Sequence, residues 1–301
     1  MAYRVARGLL VGHLVLIVFS TVAMLTILAG PPGPWASQEP AATVMRLSFQ
    51  FAGPTYVVLG ALSVVVFLTQ AIGMGRALAV GGAATGISLA VELLGTATGL
   101  PFGDYSYSAL LGHQIMGRVP FPIPLSWFYM LVGALAIVAR VSPASGAGRA
   151  KWTWALTAAL LMVAWDVSMD PAMVATGHWR WGAGTLFRES GLPSLVVGFF
   201  TRDAFYGMPL SNWFGWLLTS AIVARVMLAI LPPRDISARV APASLPIVIY
   251  LANAIMPVAL CLREGFWWAA LGGATAMGVP AAMALRQKRT TGVVHSAPDP
   301  A

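Results

Sequence analysis

The sequence has 301 residues, of which 58% are hydrophobic and only 9% are charged. Because about 25% of the residues in a soluble domain are charged, this composition excludes an ordinary soluble domain. The net charge of +8 rests on few charged residues, so it indicates Lys and Arg at the ends of membrane spans rather than a nucleic-acid surface. Cys261 is the single cysteine, which excludes an internal disulfide and a cysteine-based metal cluster.

Eight apolar runs are close to the length of about 20 residues that crosses a bilayer as a helix. They predict an all-α fold, a polytopic membrane helical bundle of about eight transmembrane helices, in one integral-membrane domain of residues 1–289. The first run is longer than the apolar core of about 7–15 residues in a cleaved signal peptide, so it is predicted to be retained. Residues 41–51 are predicted as a short interfacial helix, and residues 290–301 as a disordered cytoplasmic tail. The predicted spans are residues 8–29, 55–72, 77–98, 123–141, 152–170, 209–231, 243–262 and 265–285.

Basic residues are distributed unevenly over the two sides that these spans define. Twelve fall on the side of the N terminus and six on the other, and the side richer in Lys and Arg is normally cytoplasmic. We therefore expect a protein of a prokaryotic cytoplasmic membrane with both termini in the cytoplasm, and with loops 99–122 and 171–208 on the outer face. The twelve are Arg4, Arg7, Arg76, Arg140, Arg149, Lys151, Arg225, Arg234, Arg239, Arg286, Lys288 and Arg289, and the six are Arg46, Arg118, Arg180, Arg188, Arg202 and Arg263.

Three acidic residues fall within the predicted spans, where a carboxyl group is costly and usually functional. Glu92 lies seven residues before the helix-ending Gly99, roughly 10 Å from the end of its helix at 1.5 Å per residue. Asp166 and Asp170 are four residues apart and share a helix face, and Pro171 is expected to end the helix at Asp170. We expect at least one of the three to act as a general acid. Alternatively, they bond to neighbouring helices or pair with Arg180, Arg188 or Arg202.

Aromatic residues are concentrated at the same predicted level of the membrane. An interfacial belt is one explanation, but aromatic faces also stabilise cations away from water. An acid beside such faces suits the protonation of an alkene to a carbocation. In an extended segment Trp179 and Trp181 would point to the same side, with Trp179 closer to Asp170. The set comprises Trp127, Trp165, Trp179, Trp181, Trp213, Trp216, Phe205 and Tyr206.

Other kinds of site have little support. Histidines 13, 113, 178 and 295 lack the spacing of metal ligands, and His13 is predicted to be packed or interfacial. Asp166 and Asp170 could hold Mg²⁺ through a diphosphate, but the second acid-rich segment of membrane prenyltransferases is missing. Asn212 is expected either to cap the sixth helix or to position water.

Six motifs in the third to sixth spans and their loops stand out together. They are Glu92-x-x-Gly95, Thr98-Gly99-x-Pro-Phe-Gly-x-Tyr-x-Tyr107 with Val119-Pro120 to Pro124-x-x-Trp127, Asp166-x-x-Met-Asp-Pro171, Gly177-x-Trp-x-Trp181 and Tyr206-Gly-x-Pro-x-x-Asn212-x-x-Gly-Trp216. This set resembles the carotenoid biosynthesis family of integral-membrane hydratases, which includes bisanhydrobacterioruberin and γ-carotene hydratases, and the resemblance covers about residues 55–285. Met208 and Trp213 stand where the family pattern has a branched aliphatic residue and Phe, which concerns substrate fit.

The resemblance implies addition of water across the terminal double bond of an acyclic carotenoid end, as in lycopene, γ-carotene or a longer carotenoid. A tertiary carbocation and then a tertiary alcohol would form. The implied partners are a carotenoid in the bilayer, water and other enzymes of the carotenoid pathway, with no cofactor, metal or nucleic acid. On chemical grounds, the candidate catalytic residues are Glu92, Asp104, Asp166 and Asp170. The candidate substrate-binding residues are Tyr105, Tyr107, Trp127, His178, Trp179, Trp181, Tyr206, Asn212 and Trp216.

Three alternatives remain open at this point. A membrane prenyltransferase would depend on a diphosphate substrate and Mg²⁺. A cyclase that acts on the same carotenoid ends would form a ring instead of an alcohol. A non-catalytic carotenoid-binding or assembly protein would bind pigment and leave its mass unchanged.

Overall fold

The computed structural model describes residues 2–28, 30, 33–142 and 148–287, and long helices make up most of this part. Eight stretches within it are long and apolar enough to cross a membrane. The predicted all-α polytopic bundle with eight spans is therefore confirmed, and the chain is an integral membrane protein. The described helices are α1 (Ala2–Leu28), α2 (Ala41–Ile72), α3 (Met74–Thr98), α4 (Pro122–Val141), α5 (Gly148–Ala175), α6 (Thr185–Arg188), α7 (Ser194–Thr201), α8 (Leu210–Ile230), α9 (Pro233–Asp235), α10 (Leu245–Ala252), α11 (Ile255–Arg263) and α12 (Trp267–Arg286).

Short strands and turns lie in the segments that connect these helices. The strands are β1 (Tyr105–Tyr107), β2 (Gln114–Ile115), β3 (Val119–Pro120), β4 (Trp179–Trp181), β5 (Asp203–Phe205) and β6 (Met208–Pro209). They form three antiparallel pairs, β1 with β4, β2 with β3 and β5 with β6. Two 3₁₀ turns span Pro34–Ser37 and Ala109–Leu111, and one π turn spans Ile236–Val240. Of the three strand pairs, only β1–β4 joins two segments that are distant in sequence.

Two predicted boundaries are wrong. Residues 41–51 do not form a separate interfacial helix but are the first turns of α2, which continues through Pro54 to Ile72. The seventh span is not one helix: it is divided into α10 and α11 at Asn253. Ala29, the predicted end of the first span, and the predicted tail 290–301 lie outside the described residues.

Pro171 does not end the fifth helix, so the prediction that it places Asp170 at a helix end is also wrong. α5 continues through Pro171 to Ala175. Proline inside a membrane helix is tolerated when neighbouring groups satisfy the carbonyls that its missing N–H leaves free. The carbonyl that loses its partner is that of Val167, four residues before Pro171, and the thiol of Cys261 donates to the adjacent carbonyl oxygen of Ser168 over 3.2 Å. Asp170 is therefore held within a continuous helix and not in its last turn.

The helix α4 lies at the centre of the bundle. Of its most apolar stretch 83% is buried, against 28% for α1, and it packs against α2, α3, α5 and α10. Gly133 permits the approach to α10, because a Cβ there would lie 2.6 Å from the carbonyl oxygen of Pro246. A central helix of this kind carries few residues that face lipid, so its side chains are available for the interior.

Basic residues of one predicted side are brought together at one end of the bundle. Arg76, in the first turn of α3, donates to the Asp235 carboxylate over 2.6 Å. Arg140, near the end of α4, donates to the carbonyl oxygens of Ala241 and Ala284 over 2.7 and 3.0 Å. The strands β1 and β4 follow the opposite ends of α3 and α5. The division of the loops into two faces therefore agrees with the structure, whereas the assignment of one face to the cytoplasm remains a prediction.

We expect reporter fusions at Gly148 and within residues 290–301 to report a cytoplasmic location, because twelve of the eighteen basic residues lie on that side. The measurement pairs a reporter active only in the cytoplasm with one active only outside it, at both positions. A fusion after Gly191, in the opposite loop, is the matched control and should give the reverse result. An outside signal at either of the first two positions would contradict this orientation.

Candidate active site

The antiparallel pair of β1 and β4 forms one wall of the site. Tyr105 is opposite Trp181, and Tyr107 is opposite Trp179. Alternate residues of a strand face opposite sides, so these four rings share one face and point inward. Ser106 and Arg180, on the other face, are exposed. The predicted same-side placement of Trp179 and Trp181 is thus seen in the structure, with two tyrosines beside them that double the aromatic wall.

Three donors converge on the carboxyl group of Glu92 in α3. The hydroxyls of Tyr105 and Tyr107 donate to Oε2 over 2.6 and 2.8 Å. The indole N–H of Trp127, in α4, donates to Oε1 over 3.2 Å. Glu92 is only 3% exposed, so these hydrogen bonds replace the water that a buried carboxyl group loses.

Gly95 explains the spacing of the Glu92-x-x-Gly95 motif. A Cβ at this position would lie 2.7 Å from the hydroxyl oxygen of Tyr105, which is closer than two such atoms can approach. The absence of a side chain lets Tyr105 cross the surface of α3 and reach Glu92, one turn away. Four residues later, Gly99 ends the helix in the predicted left-handed conformation, with φ of 78°, and the chain turns toward β1.

Two indole groups bind the carboxyl group of Asp170 in α5. The N–H of Trp179 donates to Oδ1 over 2.7 Å, and the N–H of Trp181 donates to Oδ2 over 3.1 Å. An indole N–H can only donate, so each carboxyl oxygen accepts one hydrogen bond. Asp170 is 3% exposed, and one lone pair of each oxygen remains for a proton or another donor.

The two carboxyl groups are linked through ring contacts across the strand pair. Tyr107, which binds Glu92, meets Trp179 edge to face with ring centroids 5.7 Å apart. The ring centroids of Tyr105 and Trp181 lie 5.6 Å apart, with the two rings tilted. The strand pair therefore supplies four donors, two to each carboxyl group, from one rigid element.

Both carboxyl groups face a single cavity. The volume of this cavity is about 80 Å³. The ring of Trp216 stacks on Trp127 with centroids 4.4 Å apart and an angle of 15°, and Trp165 meets Trp216 edge to face. The cavity-lining residues that the sequence named as candidates are Glu92, Tyr105, Tyr107, Trp127, Asp170, Trp179, Trp181, Asn212 and Trp216.

The remaining candidate carboxylates do not line this cavity. Asp166 is fully buried, with Oδ2 accepting from the amide of Asn212 over 2.9 Å, while Oδ1 has no partner among the described residues. Asp104 accepts from the backbone N–H of Gly184 over 2.9 Å and holds the loop after β4. Asp166 therefore supports the site from behind, and Asp104 supports the loop.

Of three further candidates, Asn212 lines the cavity and the other two lie outside it. Asn212 does not cap α8, which begins after Pro209, but lines the cavity from inside the helix. Tyr206 packs on Phe266 with ring centroids 4.5 Å apart and lies outside the cavity wall. His178 lies outside it too, in a neighbouring chamber. His13 is fully buried, so its predicted role as a packed residue is confirmed.

The buried acids are not paired with arginine. In the described part of the chain, no Lys, Arg or His lies within 4.0 Å of Glu92, Asp166 or Asp170. Arg180, Arg188 and Arg202 are exposed. The alternative of arginine pairing is therefore wrong, whereas bonding to a neighbouring helix holds for Asp166, through Asn212 on α8, and for Glu92, through Trp127 on α4. Within the same ranges, no three His, Cys, Asp or Glu residues are grouped as metal ligands.

Sequence reasoning missed a second polar group at the cavity, centred on Asn253. The hydroxyl of Tyr129 donates to its Oδ1 over 3.1 Å, and the indole of Trp165 donates to its carbonyl oxygen over 3.2 Å. His13 also contacts its side-chain amide. A polar amide in the apolar run of the seventh span was the available signal. Tyr56 and Met256, which complete the wall, gave no such signal.

The loop residues of the site have shifted pKa values. Burial first, and the nearby Glu92 second, raise the pKa of the Tyr105 and Tyr107 hydroxyls well above the ordinary value. Both phenols therefore keep their protons and remain donors at neutral pH. Burial lowers the pKa of His178 from 6.5 to about 4, so its imidazole is neutral there.

We expect the protein to lose stability as the pH falls from about 6.5 to about 4, and His178→Gln to reduce that loss. In this window the unfolded His178 binds a proton that the folded, buried His178 does not, so acid favours the unfolded state. Gln can still donate to the Thr176 hydroxyl, which lies 2.7 Å from Nδ1 in the parent. Thermal unfolding midpoints in detergent at several pH values test this. An identical pH dependence in parent and variant would contradict it.

The fold and the cavity define an integral-membrane protein with a buried acid and aromatic site. A model of the family described as carotenoid biosynthesis protein matches residues 52–280. The chain therefore belongs to the carotenoid biosynthesis protein family, and the resemblance found in its motifs is confirmed. Its role is in carotenoid modification.

One relative gives a more specific comparison. Bisanhydrobacterioruberin hydratase from Haloarcula japonica is 28% identical over 135 residues, which are 45% of this chain and 39% of that protein. The match thus spans less than half of the relative's length. No solved structure matches the chain.

Proposed function

We propose that this protein is a hydratase that adds water to the terminal double bond of an acyclic carotenoid end. One observation carries the proposal: two buried carboxyl groups, each bound by aromatic donors and free of cationic partners among the described residues, face one apolar cavity. The name of the Haloarcula japonica relative supports the same reaction.

In the proposed reaction Asp170 donates a proton to the less substituted carbon of the double bond. The electron pair of that bond forms the new C–H bond and leaves a tertiary carbocation. Water attacks the cation through its oxygen, and Glu92 accepts the proton that the resulting oxonium releases. The product is a tertiary alcohol, and transfer of a proton from Glu92 to Asp170 through water restores the enzyme. The reaction needs no cofactor or redox partner.

The roles of the two acids follow from their hydrogen bonds. Each oxygen of Asp170 accepts one indole N–H, so it retains room for a proton directed into the cavity. The same indoles stabilise the carboxylate that remains after the proton has left. Oε2 of Glu92 already accepts two phenol hydroxyls, and Oε1 accepts an indole. This arrangement suits a carboxylate that faces the cation and then accepts the proton from water.

The rings around the cavity suit the cation. Each aromatic face offers a negative potential worth about 0.5–2 kcal/mol to a nearby cation. The rings of Trp127 and Trp216 are stacked, and the ring of Trp165 meets that of Trp216 edge to face. All three rings line the cavity. The cavity volume of about 80 Å³ leaves room for only a few water molecules, so little water surrounds the cation when it forms.

The prenyltransferase alternative has less support from the geometry. It requires Asp166 and Asp170 to face the same ligand, but only Asp170 lines the cavity while Asp166 is directed to Asn212. A cyclase would use the same acid and rings, so the product must decide between a ring and an alcohol.

Expression in a lycopene-producing host tests the proposal. We expect carotenoids whose mass has increased by one or two molecules of water, compared with the same host carrying an empty vector. A product of unchanged mass with a new ring would indicate a cyclase. Unchanged lycopene bound to the purified protein would indicate a binding protein, and either result would overturn the hydratase assignment.

A further inference from the structure

A second, larger chamber adjoins the active-site cavity. It lies between α1, the 3₁₀ turn Pro34–Ser37, the first half of α2 and the end of α5. Its free space is about 520 Å³, against about 80 Å³ in the cavity. Since one water molecule needs a cavity volume of about 10–15 Å³, the active-site cavity has room for about five to eight water molecules. A small end group fits the cavity, but a long hydrocarbon does not.

The two spaces share part of their walls. Tyr56, Leu111, Met173 and Met256 line both of them. Asp170 lies less than one helical turn before Met173 on α5, so the shared wall begins beside a candidate acid. The two spaces therefore lie side by side, with these four side chains between or around them.

The chemistry of the chamber fits an uncharged hydrocarbon. None of the described residues that line it is Asp, Glu, Lys or Arg, and His178 is neutral because burial lowers its pKa to about 4. Four methionines line it, and their flexible thioether side chains adapt to apolar surfaces of varied shape. They are Met24, Met45, Met173 and Met256.

We propose that this chamber binds the polyene chain of the carotenoid whose end group occupies the cavity. This inference rests on the proposed function for the identity of the ligand. A substrate end that reaches Asp170 must be followed by the rest of its chain. The chamber shares four wall residues with the cavity and lies beside α1, whose outer residues such as Val15 and Val22 are exposed where lipid would contact them. The substrate would thus enter sideways from the membrane.

Gly53 in α2 offers a way to fill the chamber. It lines the chamber, and a Cβ there would meet the Cδ2 atom of Leu111 at the ordinary contact distance of 3.9 Å. Gly53→Phe should therefore project a ring into the chamber without a backbone clash. Ala23→Phe fills the chamber from the facing helix α1 as an independent variant.

Gly86 in α3 is the matched control for these substitutions. It also lies within a spanning helix, and it does not line the chamber. A Cβ at Gly86 would have no atom of the described residues within 4 Å. Gly86→Phe therefore adds the same ring to a spanning helix without filling the chamber.

The experiment measures carotenoid bound per protein after purification from a lycopene-producing host, together with the hydrated fraction. We expect Gly53→Phe and Ala23→Phe to bind at least about tenfold less carotenoid, a loss of about 1.4 kcal/mol, while Gly86→Phe binds as the parent does. Monodisperse elution of each variant establishes that it is folded. If one of the two filled variants elutes as aggregate, the other is compared with Gly86→Phe and the parent.

The possible results separate this inference from the function on which it rests. If the parent binds carotenoid without hydrating it and the two variants lose binding, the chamber is supported and the hydratase is not. Equal binding by the parent and both filled variants would overturn the chamber proposal, whatever the hydrated fraction. Recovery of phospholipid acyl chains from the parent, without carotenoid, would overturn it as well.

Discussion

Asp170→Asn and Glu92→Gln are each expected to lower hydration by about 10²–10⁴-fold, the usual contribution of general acid–base catalysis. Asn at position 170 has no proton that it can transfer to an alkene. Gln at position 92 has no negative charge to stabilise the cation, and its amide does not accept a proton from the attacking water. The measurement is hydrated carotenoid formed per unit of folded protein in detergent or vesicles.

The two substitutions differ in their expected effect on stability. Glu92→Gln should be tolerated, because the phenols of Tyr105 and Tyr107 can accept from the new amide as well as donate. Asp170→Asn turns its amide toward an indole N–H of Trp179 or Trp181, and one buried donor is then left unsatisfied at a cost of about 1–3 kcal/mol. Glu92→Gln is therefore the cleaner test of chemistry.

The matched control is Glu189→Gln, which removes a carboxylate at an exposed position outside the cavity and should leave the rate unchanged. Parental rates in both Glu92→Gln and Asp170→Asn would contradict the assigned roles. In that event the buried Asp166, whose Oδ1 has no partner in the described residues, is the next proton donor to test.

Trp179→Leu is expected to lower the rate more than Trp181→Leu, while both variants still bind pigment. Leu keeps apolar bulk but removes both the ring face and the N–H donor. A ring contributes about 0.5–2 kcal/mol to a nearby cation, which is up to about 30-fold in rate at about 1.36 kcal/mol per tenfold. Trp179 also makes the shorter hydrogen bond to Asp170, 2.7 Å against 3.1 Å. Trp179 is 6% exposed, whereas Trp181 is only partly buried.

Trp268→Leu, at a ring that is 77% exposed on α12, controls for the loss of a tryptophan as such. Rates and retained pigment are measured for all three variants at equal protein. Full activity in both Trp179→Leu and Trp181→Leu would remove β4 from the stabilisation of the cation. The stacked pair of Trp127 and Trp216 would then be the rings to replace.

The spans and the acids were predictable from the sequence because both depend on local composition. A run of about twenty apolar residues identifies a span whatever surrounds it. A carboxyl group within such a run is costly enough to indicate function, which singled out Glu92, Asp166 and Asp170, although only Glu92 and Asp170 line the cavity. The end of α3 at Gly99 was also predictable, because glycine is the usual residue where a helix ends in the left-handed conformation. Gly99 has this conformation, with φ of 78°.

The pairing of β1 with β4 could not be predicted, because it joins segments more than seventy residues apart. Without it, nothing indicated that Tyr105 and Tyr107 bind Glu92 while Trp179 and Trp181 bind Asp170. Sequence spacing did predict that the two tryptophans share a side, since that depends only on the period of an extended chain.

The errors at Pro171 and Asn253 arose from tertiary contacts. A local rule ends a helix before proline, but α5 continues through Pro171 to Ala175 inside the bundle, where proline within a membrane helix is tolerated. The break between α10 and α11 occurs at an amide that bonds to Tyr129 on another helix. Asp166 and Asp170 do share a helix, yet only Asp170 faces the cavity, because Asn212 on α8 binds the other.

The source of the added atoms tests the central claim most directly. Purified protein is supplied with lycopene in water enriched in heavy oxygen and deuterium, with molecular oxygen excluded. Hydration predicts a product with one heavy oxygen in its hydroxyl group and one deuterium on the neighbouring carbon for each end modified, and Glu92→Gln should lower the yield of both labels by about 10²–10⁴-fold. A hydroxyl group that forms only when molecular oxygen is present, or that contains no oxygen from water, would contradict the account.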